Sequence, residues 1–145
     1  MGLKIICHDE TKSIGTYHEV ELLKKNLINS SILFLGTDML ETDELICYLK
    51  DFIGIDGINY RNYSLELNNK LKLFGLEGVV AFIMKNENNN VMSVGEAMDF
   101  VFSLDLIKEY IDFKYFIKDE KIIENFYLFS ILMKAIKNFR VLEFY

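Results

Sequence analysis

The chain has 145 residues, 51% of them hydrophobic and 26% charged, with a formal net charge of −6, no proline and no tryptophan. This length suits one domain, 1–145, that buries about two-thirds of its unfolded surface and needs no disulfide or metal to fold, and an aromatic fraction of 14% excludes intrinsic disorder. The acidic balance excludes a general nucleic-acid binder, which needs a basic stripe, and the absence of proline excludes SH3-type ligands, collagen and Pro-rich linkers.

Leu3 to Cys7 is short, apolar and β-branched and predicts a first strand. No basic region followed by an apolar stretch stands at the N-terminus, so no signal peptide is expected, and Met1-Gly2-Leu3-Lys4-Ile5-Ile6 lacks the Ser or Thr of a myristoylation signal. Tyr17, Val20, Leu23 and Leu27 recur at helical spacing and predict a helix over Tyr17 to Asn29, with Glu19 early and Lys24-Lys25 late as the helix dipole prefers. Ser31 to Leu35, closed by Gly36, reads as a second buried strand. Thr42 is a suitable N-cap for a helix running to about Ile53, with Asp43 and Glu44 in its first turn, Leu45, Leu49 and Phe52 as its apolar stripe, and Gly54 as its stop.

From Ile55 the pattern weakens. Gly57 and Asn59 predict a turn, and Leu65 to Phe74 suits a short helix or an edge strand. Gly78 to Met84 predicts a buried strand and Asn86 to Asn90 a polar loop. Ser93-Val94-Gly95-Glu96 matches the S-x-x-E capping box and opens a helix carrying Ala97, Val101, Leu104 and Ile107 towards Tyr110. Beyond it the pattern predicts a strand over Phe113 to Ile117, a long helix over Lys118 to Phe139 and a terminal strand over Val141 to Phe144. In that long helix Lys121, Glu124 and Asn125 lie nearly opposite Ser130, Lys134 and Lys137, which favours a helix crossing the core. A break near Tyr127 to Ser130, or a homo-oligomer interface through Phe126 to Met133, are the alternatives. The longest uncharged run of this half, Asn125 to Met133, is too short to span a bilayer.

The strand–helix–strand–helix order predicts an α/β fold, a mixed or mostly parallel sheet of about four or five strands flanked by about four helices. The alternative is α+β, with Asn86–Asn90 closing a hairpin between Gly78–Met84 and Val91–Ser93.

Three constellations bear on function. Cys7-His8-Asp9-Glu10, with His18 nearby, holds metal-ligand and acid–base residue types, but adjacent strand residues point to opposite faces and no zinc-type spacing accompanies them. Two cysteines, Cys7 and Cys47, make no disulfide framework and fit a reducing cytosol with both thiols packed in the core. Asp9 and Glu10 after the first strand, with Thr37 and Asp38 after the second, would meet at the carboxyl edge of a parallel sheet and hold Mg²⁺ there. Lys85 and Lys118 follow later strands but lie in no motif, and no Gly-rich phosphate loop is present.

The third is electrostatic and weighs most. Residues 1–60 carry ten acidic and five basic side chains, net −5, leaving −1 for the remainder. Asp38, Glu41, Asp43, Glu44, Asp51 and Asp56 face one opposing charge, Lys50, and Tyr48, Tyr60, Arg61 and Tyr63 lie alongside. Acid density of this kind steers a basic partner, and tyrosine, arginine and carboxylates are frequent hot-spot residues. The sequence therefore predicts a soluble, intracellular binding protein that neutralises a basic partner, in the manner of an immunity protein inhibiting a bacterial nuclease-type toxin, with no cofactor, no membrane and no catalytic residues. The rival expectation is an α/β enzyme or sensor that binds a nucleotide or phosphate with Mg²⁺ at Asp9, Glu10 and Asp38.

Overall fold

From Tyr17 to Leu35 no glycine or proline interrupts the chain, and the residues form one helix, α1 (Tyr17–Gly36), in the computed structural model, which describes residues 2–7, 10–37, 42–86, 88, 93–110 and 140–144. The strand expected over Ser31 to Leu35 is thus the second half of a helix. Two features explain this. Leu27, Ile28, Ser31 and Leu35 are all buried at helical spacing. The two serines satisfy their hydroxyls within the helix, Ser30 Oγ donating to Asn26 O and Ser31 Oγ to Leu27 O, each at 2.8 Å. A run of four apolar residues fits either a buried strand or a buried helix face, and here the uninterrupted helix upstream decides.

α1 is the axis of the fold, lying against α2 (Asp43–Lys50), α4 (Glu77–Ile83) and α5 (Val94–Ile107). Burial on several sides accounts for its load of polar residues out of solvent: Glu21, Lys24, Asn26, Ser30 and Ser31. Thr42 does precede α2, but its side chain makes no cap bond. Its hydroxyl donates to Leu35 O at 3.1 Å instead and ties the start of α2 to the end of α1. α2 ends at Lys50, and Gly54 is not its stop. A tight reversal follows, with Ile53 bridging Ile58, Gly54 N donating to Gly57 O at 2.7 Å, and Gly57 at φ 138°.

α3 (Leu65–Lys72) is a helix, opened by Ser64 Oγ accepting from Leu67 N at 3.3 Å. The strand expected over Gly78 to Met84 is also a helix, α4. Gly78 supplies the reason. A Cβ there would overlap the backbone of Asp99 and Phe100, so the glycine lets α4 and α5 approach closely, and Phe82 stacks on Phe100 with ring centroids 4.5 Å apart. Glycine in that run marks helix–helix contact rather than a strand boundary. It also excludes the hairpin with Val91–Ser93. α5 carries both bonds of the capping box, Glu96 N to Ser93 Oγ and Ser93 N to Glu96 Oε1, each 3.1 Å.

The α/β expectation is therefore overturned. The body from Tyr17 to Tyr110 is helical and contains no sheet among its described residues. Among the described residues, strand pairing beyond the isolated Ile53–Ile58 bridge is confined to β1 (Gly2–Cys7), β2 (Glu10–Thr16) and β3 (Arg140–Phe144), in the order β2-β1-β3 and antiparallel throughout, so no parallel strand edge exists among them. Cys7 pairs with Glu10, and β1 and β2 lie against α1. The segments expected at Phe113–Ile117 and Lys118–Phe139, including the interface proposed for Phe126–Met133, lie outside the described residues. No described helix is long and apolar enough to cross a membrane.

Candidate partner-binding surface

At 100° per residue, α2 divides cleanly. Leu45, Tyr48 and Leu49, with Phe52 just beyond, are buried on one side, while Asp43, Glu44, Cys47, Lys50 and Asp51 are exposed and share an arc of about 120° on the other. The acidic side chains at its two ends are therefore placed on one solvent face. Its charge is partly offset: Lys50 sits within it, and Glu44 Oε2 pairs with Lys70 Nζ at 3.1 Å, with Glu66 at 4.0 Å from the same ammonium. Asp43 and Asp51 make no ion pair with another described residue.

Tyr48, expected as a contact residue, is 3% exposed. Its hydroxyl accepts from Ser64 N at 3.2 Å and lies 3.4 Å from Ser64 O, its ring meets Phe52 edge-on, and Asn62 Nδ2 donates to its carbonyl at 2.7 Å. Burial raises the Tyr48 phenol above its ordinary value, partly offset by the bond to the Ser64 backbone. The side chain is a buried strut between α2 and the start of α3. Tyr60 is half-buried and accepts from Lys24 Nζ at 3.0 Å, so it too serves the interior. Arg61 and Tyr63 are exposed.

Asp56 sits on the reversal after α2 and lines a hollow with His18, Glu21, Leu22 and Lys25, away from the α2 face. Glu21 fixes that reversal, its Oε2 accepting from Ile58 N at 3.2 Å. Cys47, expected in the core, is exposed on the α2 face, because it lies about 100° around the helix from buried Tyr48. Asp38 and Glu41 lie outside the described residues, as do His8 and Asp9. Glu10 belongs to β2. The parallel-sheet edge that was to gather Asp9, Glu10 and Asp38 is absent among the described residues, and no described group of three or more His, Cys, Asp or Glu residues is arranged to hold a metal.

The sequence reading missed a cleft of about 400 Å³ between α3, α4 and α5, with Tyr63 on its wall and Val80, Ala81 and Met84 as its apolar lining. Lys85, 4% exposed, places Nζ 2.9 Å from Glu96 Oε2 there. Burial pushes the Glu96 carboxyl up, but the hydrogen bonds from Lys85 and Ser93 and the Lys85 charge outweigh it and hold the group below the usual carboxylate range. The capping-box spacing was the one signal that located Glu96; nothing local in the sequence pointed to its pairing with Lys85. No protein family, curated protein or solved structure matches this chain.

Proposed function

We propose that the chain is a small acidic binding module that works in the cytoplasm and neutralises a basic protein partner, in the manner of an immunity protein against a bacterial nuclease-type toxin. The observation that supports this reading is the solvent face of α2, where Asp43 and Asp51 stand exposed on one side of a short helix whose opposite side is packed into the core. A nuclease must present a basic surface to its substrate, and an acidic face of this kind attracts and covers such a surface. Arg61 and Tyr63 extend the contact surface, whereas Tyr48 and Tyr60 support it from within.

The test is co-expression with the product of the reading frame beside this gene, scored by growth and by the association rate of the purified pair. Asp43→Lys with Asp51→Lys is expected to lower the association rate at least tenfold at low salt and to abolish growth protection. Unchanged association with both reversals in place would overturn the α2 face as the interface.

A further inference from the structure

The cleft between α3, α4 and α5 lies apart from the α2 face and carries its own charge balance. Lys85 and Glu96 neutralise each other at 2.9 Å, and the second Glu96 oxygen, Oε1, accepts from Ser93 N. Two further carboxylates, Glu77 and Asp99, line the same cleft and have no ion-pair partner among the described residues, so the cleft keeps an excess of two negative charges. Tyr63 adds an exposed aromatic ring to the wall, and the half-buried Ala81 and Met84 add apolar surface suited to a methylene stem. Asn68, also on the wall, holds the one buried side-chain acceptor among the described residues that lacks a donor, its Oδ1. An amide oxygen without a donor is an acceptor for an N–H group. At about 400 Å³ the cleft falls within the usual range of ligand sites.

We propose that this cleft receives an arginine side chain of the basic partner. The guanidinium stacks on Tyr63, donates to Glu77 and Asp99, and engages Asn68, while its stem lies along Ala81 and Met84. A guanidinium is the cation that fits, because it alone combines a planar face for an aromatic ring with a fork of donors for two carboxylates. The inference rests on the reading of the chain as a binder of basic proteins and gives that reading a second anchor point.

Agmatine, which carries a guanidinium on a methylene stem, is the probe, titrated into the intact protein and followed by amide and methyl NMR. Chemical-shift changes are expected at Tyr63, Asn68, Ala81 and Met84, with at least tenfold weaker binding in Glu77→Gln/Asp99→Asn and no change in Asp43→Lys/Asp51→Lys. Asp43, Asp51 and Asp99 are exposed and Glu77 is half-buried, and unchanged spectra elsewhere establish that the variants fold. Absence of shifts in the cleft, or equal affinity in Glu77→Gln/Asp99→Asn, would overturn the proposal. The two readings separate in the partner assay: association lost on reversing Asp43 and Asp51 but untouched by Glu77→Gln/Asp99→Asn retains the acidic α2 face and removes the arginine cleft.

Discussion

Lys24 is 1% exposed in the middle of α1, its ammonium donating to Lys85 O at 2.5 Å and to Tyr60 Oη at 3.0 Å. Burial lowers its pKa from 10.5 to about 8, against the opposing pull of the Glu21 carboxylate. Between those two values the unfolded chain binds a proton that the folded chain does not, so stability rises with pH across the window and the penalty is fully present below about pH 8. The shift corresponds to about 3 kcal/mol over the whole window. Urea unfolding at pH 7.5, 8.5 and 9.5 is expected to show a rising midpoint, and Lys24→Met is expected to remove the rise. Readings must stop short of the tyrosine range: the raised Tyr48 phenol stays protonated in the fold while the unfolded chain ionises, which lowers stability at higher pH. None of this was legible in the sequence, where Lys24 reads as a cation near a helix end; it stands mid-helix because α1 continues to Gly36. Tyr48 was misplaced for a related reason. Tyrosine suits interfaces and interiors alike, and only the position of Leu45 and Leu49 on the same side of α2 shows which applies.

At the scale of elements, the legible parts were those with a local chemical signature. The Ser93–Glu96 capping box stands at the start of α5 with both its bonds, and Asp43 and Glu44 do lie in the first turn of α2. The two buried strands expected at Ser31–Leu35 and Gly78–Met84 are helices because short apolar runs carry no period long enough to separate the two states, and tertiary packing chose. Gly78 tests that explanation. Replacing glycine by alanine inside a helix ordinarily stabilises by ~1 kcal/mol. Here the added methyl group overlaps the Asp99 and Phe100 backbone, and α5 must move away to admit it, disturbing the Phe82–Phe100 stack. Gly78→Ala is therefore expected to destabilise by ~1–3 kcal/mol, lowering the thermal midpoint by several degrees. Gly36→Ala, where nothing lies within 4 Å of the added atom, is expected to leave the midpoint unchanged or raise it. If Gly78→Ala proved as benign as Gly36→Ala, the close contact of α4 with α5 would be wrong.

For the whole molecule, the net charge of −6 poses a question that charge counting along the sequence does not answer: whether attraction of a basic partner comes from the total charge or from where it stands. The structure thins the acidic stretch read between Asp38 and Asp56. Glu44 is engaged by Lys70, Asp56 points to the hollow beside His18, and Asp43 and Asp51 remain on the α2 face. Long-range steering by total charge acts through the screening length, about 8 Å at physiological salt, so beyond that distance only local charge matters. Asp51→Lys and Glu109→Lys each raise the net charge by two units, but the first alters the α2 face and the second the 3₁₀ turn after α5. At an ionic strength near 0.15 M, Asp51→Lys is expected to slow association with the basic partner several-fold and Glu109→Lys by less than twofold. At 0.01 M the screening length is about 30 Å, comparable to the molecule, and the two variants are expected to converge as both lower the overall field. Stopped-flow association at the two salt concentrations measures this directly. Equal slowing at 0.15 M would assign the attraction to total charge and remove the special role of α2; divergence at high salt with convergence at low salt is the signature of a localised acidic face.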